Sequence, residues 1–466
     1  MNASSDTQTM NGRLDMSKSP DGGSASASRD QALLDALQGH ALRYLLDEVD
    51  PRTGLVADST SPGTVCSIAA VGMALASYPI AAERNLISRS EAAERALRLL
   101  QLFHDGPQNA SANATGYRGF YYHFLDMKTG HRAWQCELST IDSALLLAGA
   151  LATAAFFDGQ GEDEQTIRTT ADALYRRADW KWALNGGPTL THGWRPETGF
   201  LPYRWEGYDE ALILYVLALG SPTHPIPAES YAAWTRTYTW KRIFDHELLY
   251  AGPLFIHQYS HLWIDFRGIQ DAFMRDKDSD YFENSRRATL IQREYAIRNP
   301  LGFEGYGDCC WGFTACHGPG PDTLEIDGVE RRFLGYSARS APYGPDDGTI
   351  ATWAAAASLP FAPEVVLPTL HRFQELHVGA TGPYGFESTF NPTYPSATGQ
   401  KPGWVCPWIY GIDQGALALM IENHRTGAVW EGMGRTPWIR EGLRRAGFEG
   451  GWLHRAPTGS ESEVAP

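Results

Sequence analysis

Two kinds of helical segment alternate along this chain, and that alternation limits the folds open to it more than any other feature. One kind is apolar all round: 65–76 (VCSIAAVGMALA), 141–157, 211–219, 253–263, 349–359 and 415–421. The other carries its charges on one face: 30–46, 88–103, 162–180, 280–298 and 363–377, with 227–238 a weaker sixth. A helix without a polar face has to be buried, whereas an amphipathic one lies at a surface. Six segments of one kind interleaved with six of the other describe an inner ring wrapped by an outer ring. The expected fold is therefore all-α, an (α/α)6 toroid (barrel) of six inner and six outer helices. Two separate helical bundles are the alternative, but no Pro/Gly/Ser-rich linker divides the chain after residue 30. Four stretches, 108–134, 182–207, 300–347 and 381–410, are long, aromatic and rich in Gly and Pro, and each runs into an apolar helix. Loops of that length inside a compact domain are uncommon unless functional. In a toroid they gather at one end and line its mouth. Residues 30–455 are thus expected to form one domain, with flexible tails at 1–29 and 456–466.

Charge and composition narrow the partners. Lys and Arg total 39 against 54 Asp and Glu, a formal charge of −15. So acidic a chain is poorly suited to the phosphate backbone of a nucleic acid or to an anionic membrane surface. No apolar run reaches the roughly 20 residues that span a bilayer. The first 29 residues lack the apolar stretch of a signal peptide, so the expected compartment is the cytoplasm, or the periplasm if the N-terminus is wrongly assigned. The six cysteines form neither a disulfide pattern nor a CxxC zinc motif, which fits a reducing compartment. The 15 Trp, 21 Tyr and 19 Phe serve either a large core or a set of flat platforms for sugar rings. Assembly as a monomer or a homodimer is left open.

Chemistry concentrates where the apolar helices begin. Asp142 stands before SALLLAGAL, Glu210 (after Asp209) before ALILYVLAL, and Asp413 before QGALALMI; Asp346 and Asp347 hold the same place before GTIATWAAAA. Each could be no more than an N-terminal cap meeting free N–H groups and the positive end of the helix dipole. Ser139, however, can cap its helix alone and leave Asp142 free. If the inner helices all begin at one end, these carboxylates face one another across an aromatic pocket. Glycoside hydrolysis needs that arrangement: one acid protonates the leaving oxygen while a second activates water or attacks the sugar, with no metal and no cofactor. Glu137 and Glu206 sit close by in sequence. His257 and His261, in HQYSH, are better read as sugar hydrogen-bonding or buried residues than as metal ligands, because no third ligand accompanies them. Trp311 and His317 are read as pocket wall. Tyr208, Tyr343, Glu387, Asn391 and Trp408 complete the candidate substrate contacts. There is no GxSxG, no GxxxxGK[ST], and no GxGxxG after a strand.

Several long motifs carry a family resemblance: STIDSALLLAG, GYDEALILYVLALGSPTHP, PLFIHQYSHLWIDFRG, WGFTACHGP, APYGPDDGTIATWAAAASLPFAPE, YGFESTFNPT and YGIDQGALALMIENHRTGAVW. In this order, from about residue 30 to about 455, they resemble the bacterial glycoamylase-like domain of the endo-β-1,2-glucanases of glycoside hydrolase family 144. The resemblance implies an (α/α)6 toroid and an inverting hydrolase of β-1,2-glucan. It places the family's acids on Glu210, Asp142 and Asp413. Glu210 is then expected as general acid and Asp413 as general base, with Asp142 either the base or a residue that positions the sugar. The chain departs from the family in its missing export signal, in Glu387–Ser388 after YGF, and in Cys309, Cys310 and Cys316. A transglycosylase or exo-acting β-glucan enzyme, a non-catalytic glucan-binding protein, and a lyase or epimerase stay as alternatives. The expected partner is an oligo- or polysaccharide.

Overall fold

The computed structural model describes residues 21–379, 382–396, 399 and 402–455. The chain opens with α1 (Asp21–Asp47), α2 (Ile68–Glu83) and α3 (Arg89–Asp105). Next come α4 (Thr140–Phe156), α5 (Glu162–Arg177), the single turn α6 (Trp180–Ala183), α7 (Leu212–Gly220), α8 (Glu229–Thr235) and α9 (Ala272–Asp276). The last third holds α10 (Tyr281–Arg298), α11 (Thr352–Ala357), α12 (Pro363–Glu375), α13 (Gly411–Arg425), α14 (Ala428–Arg435) and α15 (Pro437–Arg445). α14 and α15 lie beyond the last expected apolar segment and are additions to it.

The alternation read from the sequence survives as packing. α2, α4, α7, α11 and α13 are buried along most or all of their length. α2 packs on α4, α4 on α7, and α13 on both α2 and α11, while the amphipathic helices cover them: α1 lies on α13 and α2, α3 on α2, α5 on α4, α15 on α7, and α12 on α11. α2 and α4 approach to backbone contact: a Cβ on Gly149 would stand 1.9 Å from the carbonyl oxygen of Gly72, so both crossing positions require glycine.

Three expectations need correction. The apolar segment 253–263 is not an α-helix. It forms two 3-10 turns, Leu254–His257 and Tyr259–Leu262, broken at Gln258. Gln258 spends its side-chain amide on the Ala354 carbonyl (2.6 Å) and on Ser358 (2.9 Å), pinning the break against α11. The chain is also not all-α, because the mouth loops fold into short antiparallel strands. A five-stranded sheet joins Gly116–Tyr117, Phe120–Tyr122, Leu138–Ser139, Gly193–Arg195 and Gly199–Phe200, and a three-stranded one joins Ile350–Ala351, Thr389–Asn391 and Trp404–Val405. Two-residue strands at Cys66–Ser67, Leu138–Ser139 and Ile350–Ala351 run directly into α2, α4 and α11, so the mouth sheets fix where those helices begin. Lastly, α1 starts at Asp21, inside the expected N-terminal tail; the rest of that tail, and the tail 456–466, lie outside the described residues. Among the described residues no helix is long and apolar enough to cross a membrane.

Candidate active site

The starts of three apolar helices open into one cavity of about 520 Å3, and Asp142, Glu210 and Asp413 all line it. Each expected mouth loop contributes to its wall: Phe124, Trp205, Tyr336 and Tyr410 come one from each of the four. Tyr259 adds wall from the Tyr259–Leu262 turn and Trp353 from α11, and His317 stacks on Tyr410 with ring centroids 5.0 Å apart and planes at 2°. No Lys or Arg among the described residues lines the cavity.

Capping does not occupy these acids. At α4 the Ser139 hydroxyl caps the helix by accepting from the Asp142 N–H (3.2 Å) and donates to the Asp142 carboxylate (2.5 Å). At α7 the cap-like bond goes to the neighbour: the Ala211 N–H donates to Asp209 (2.9 Å), as does the Trp234 indole (3.2 Å). Asp413 sits in the first turn of α13, whose Gly411 N–H is held by the Asp58 carbonyl (2.8 Å). A Cβ on Gly411 would lie 2.8 Å from the Ala57 carbonyl oxygen, so the glycine permits the approach that sets Asp58 beside Asp413.

Asp58 and His123 line the cavity and were not anticipated. Asp58 escapes any helix-start rule, since it lies ten residues before α2. His123 had a signal: it interrupts the aromatic run FYYHFL, where an imidazole needs a polar partner. It has two. Nδ1 is 2.9 Å from Glu137 and Nε2 is 3.6 Å from Asp142. Burial alone would lower the His123 pKa, but Asp142 and Glu137 outweigh it and bring it to about 9, so the imidazole is a cation at neutral pH. The hydrogen bond from His123 holds Glu137 down at about 2. Burial pushes Glu210 up to about 8, with Asp142 and Asp209 adding to it and His123 opposing. Burial likewise raises Asp413 to about 8, with the Ser388 hydroxyl opposing and Asp58 adding, and raises Asp58 to about 6. The cavity thus offers protonated and ionised carboxyls side by side near neutral pH.

Of the other candidates, Glu137 and His317 are on the wall, and the rest are elsewhere. Asp347 is fully buried and locked to Arg339 by two 2.7 Å bonds. Asp346 accepts from the Tyr295 (2.9 Å) and Tyr306 (2.6 Å) hydroxyls. Asn391, also fully buried, donates to the Asp347 carbonyl (2.9 Å). His257 is buried with Nε2 donating to the Ala251 carbonyl (3.1 Å) and Nδ1 3.4 Å from the Tyr208 hydroxyl; His261 meets Ser285 (3.0 Å). Burial lowers these two imidazoles to about 4 and about 3. Trp311 is a fully buried core residue. Tyr343 is exposed and packs on Tyr250, Trp408 lies off the wall, and the Glu387 carbonyl accepts from Thr352 (2.6 Å) one residue before the cavity-lining Ser388. Glu206 bonds Thr189 (3.0 Å).

Residues 202–437 match the glycoamylase family model, described as "Putative glucoamylase". A crystal structure of a "putative glucoamylase" from Bacteroides uniformis is 31% identical with a TM-score of 0.79, covering 91% of this chain and 99% of that one. An endo-β-1,2-glucanase from Chitinophaga pinensis, solved with sophorotriose and glucose, is 25% identical with a TM-score of 0.79 over 91% of this chain and 99% of its own. An exo β-1,2-glucooligosaccharide sophorohydrolase (non-reducing end) of Parabacteroides distasonis is 27% identical over 452 residues, 89% of this chain and 58% of that protein. This chain therefore spans less than two thirds of the length of that curated relative. The chain belongs to the glycoamylase family.

Proposed function

We propose that this chain is a glycoside hydrolase that cleaves β-1,2-linked glucan with inversion. The observation that carries the reading is the convergence of Asp142, Glu210 and Asp413, from three different helix starts, on one aromatic-walled cavity that no Lys or Arg among the described residues lines. Such a wall repels anionic chains and suits a neutral sugar, which speaks against a lyase gripping uronates. The linkage comes from the relatives, whose names specify β-1,2-glucan and its oligosaccharides. We read the fold behind this mouth as a six-fold α/α toroid, supported by the chain of buried contacts α11–α13–α2–α4–α7 that continues to the Tyr259–Leu262 turn, beside which Gln258 bonds back to the Ala354 carbonyl of α11.

Glu210 is the general acid. Its carboxyl, pushed up to about 8, carries a proton at neutral pH and can pass it to the leaving glycosidic oxygen. For the base, the surroundings favour Asp142 over Asp413. Asp142 has a hydroxyl donor at 2.5 Å and an imidazolium at 3.6 Å, the partners of a carboxylate that takes a proton from water. Asp413, raised to about 8 beside Asp58, holds its own proton near neutrality and suits a hydrogen bond to a sugar hydroxyl. The acids share one cavity, so their titrations are coupled and a pH–rate profile reports the group.

Incubation with β-1,2-, β-1,3-, β-1,4- and α-glucans, read by product chromatography and by the anomer first released, tests the proposal. Release from β-1,2-glucan alone, with inverted configuration, is expected. Cleavage of α-glucans only, or of none, overturns it. Disaccharide as the sole product marks exo action, and longer or cyclic products mark transfer.

A further inference from the structure

Trp134 stands out among the residues around the mouth. It is 68% exposed, yet its ring lies 5.2 Å from Phe124, whose other neighbour is the stacked imidazole of His123 at 4.0 Å. Phe124 and His123 are cavity wall, so the indole extends an aromatic surface outward from the acids. Its backbone is as unusual as its exposure. Trp134 and Gln135 are consecutive non-glycine residues with φ of 53°, in the left-handed region that L side chains avoid. Such strain persists only where the surroundings over-determine it, and here they do. Arg132, its side chain 1% exposed, donates to the Gln135 carbonyl (2.8 Å) and the Cys136 carbonyl (2.6 Å) and is itself gripped by both oxygens of Glu197 (2.6 and 3.1 Å). The Ala133 N–H bonds the Phe124 carbonyl (2.9 Å), and the Cys136 N–H closes the turn on the Ala133 carbonyl (3.1 Å). Four residues are thus fastened so that one large indole faces solvent at the cavity rim. A loop needing only to turn would place glycine at those φ values and a polar side chain outside.

We propose that Trp134 is a stacking platform for a pyranose ring lying outside the carboxylate cavity, and that it sets a preference for longer over shorter glucan chains. The flat indole covers the C–H face of a sugar and leaves its hydroxyls in water, a contact open to a neutral glycan and indifferent to charge. This rests on the glucan-hydrolase reading above.

The test compares the full chain with Trp134→Ala and Trp134→Phe on β-1,2-gluco-oligosaccharides from the trisaccharide upward. Trp134→Ala is expected to lower kcat/KM about tenfold on the longest chains, through KM, and far less on the shortest substrate cleaved. Trp134→Phe should recover most of the loss. An equal loss at every length, or none at any length, overturns the platform. Calorimetric binding of the same oligosaccharides to Glu210→Gln with and without Trp134→Ala separates this proposal from the hydrolase reading. If the parent chain turns over no glucan but Glu210→Gln binds long oligosaccharides in a Trp134-dependent way, the platform stands and the hydrolase reading falls. Binding of long chains unaffected by Trp134→Ala, or no binding at all, overturns the platform.

Discussion

The starts of α4 and α11 look alike in sequence and do opposite things. Both carry a carboxylate at the entry to an apolar helix, yet Asp142 opens into the cavity while Asp347 is sealed away from it. The difference lies in the partner. Asp347 meets a fully buried guanidinium in a two-bond pair and also accepts the Leu334 N–H at 2.8 Å, so its acceptor capacity goes to holding the loop that leads into α11. Asp142 meets a small hydroxyl and a half-buried imidazole and keeps a face toward the cavity. A carboxylate at a buried helix start is thus a structural clasp when framework donors fill it, as Arg339 does for Asp347 and two tyrosine hydroxyls do for Asp346, and a chemical group when it keeps a face to the cavity.

The sharpest way to break this contrast is to neutralise one acid of each kind. Glu210→Gln keeps the shape of the cavity but has no proton to give, and turnover of β-1,2-glucan should fall by about 10²–10⁴-fold. Near-parental turnover in a steady-state assay would remove Glu210 from the mechanism. Asp347→Asn should leave turnover per folded molecule close to the parent while destabilising the chain by about 3–5 kcal/mol, because it strands the Arg339 charge in the interior. Urea unfolding measures it. A loss below about 1 kcal/mol, within the range of an exposed pair, would mean the clasp is not the rigid element described here.

Stability against pH divides the cavity acids themselves. Glu210 and Asp413 titrate near 8 when folded, against ordinary values of 4.5 and 3.8. Between those limits the folded chain keeps protons that the unfolded chain has released, so stability falls as pH rises through the window. Glu137 runs the opposite way: held at about 2, it adds stability that is lost only as pH drops below its ordinary 4.5. Glu210→Gln removes one of the penalised groups. At pH 8.5 the variant should be about 1–3 kcal/mol more stable than the parent, and near pH 4 the two should unfold alike. A parental midpoint at pH 8.5 would show that burying Glu210 costs the fold nothing.

Much of this was legible in the sequence, and the misses share one cause. Helix periodicity revealed the alternation because burial acts on every residue of an apolar helix. The four aromatic loops revealed the mouth because Gly and Pro mark chain that leaves a helix. The acids at 142, 210 and 413 were legible because they interrupt apolar runs at one recurring place. What periodicity cannot report is which partner each group meets outside its own helix. Arg339 reaches Asp347, Tyr306 reaches Asp346 from 40 residues away, and the Asp58 carbonyl holds Gly411. Those tertiary contacts decided that Asp346, Asp347 and Asn391 are framework and that Asp58 belongs to the cavity. The break in 253–263 escapes helix periodicity for the same reason, since it lies at Gln258 and is fixed by α11.

His123 gives a subtler probe of the cavity side. Its cation opposes the rise in the Glu210 pKa, and its hydrogen bond holds Glu137 down. In His123→Gln the alkaline limb of the pH–rate profile, which reports the coupled cavity acids with Glu210 among them, should move to higher pH, and Glu137 should return toward the ordinary range. Turnover at the optimum should drop by about tenfold, as expected when a group that orients a reacting carboxylate is lost. A profile that keeps its alkaline limb while losing height would reduce His123 to packing.

The smallest expected effect asks why Asp142 is free at all. An acid in the first turn of a helix is ordinarily drawn to the open N–H groups there. At α4 that work is done by Ser139, whose hydroxyl accepts from the backbone and donates to the carboxylate. At α11 no side chain caps the helix, and Asp347 is instead held by Arg339. Ser139→Ala should therefore cost only about 1 kcal/mol of stability, the usual value of a lost cap. If Asp142 turns inward to replace the missing acceptor, turnover should fall by more than that small destabilisation explains, and Ser139→Thr, which restores the hydroxyl, should recover it. Equal and modest losses in both variants would mean that Asp142 keeps its place through His123 alone.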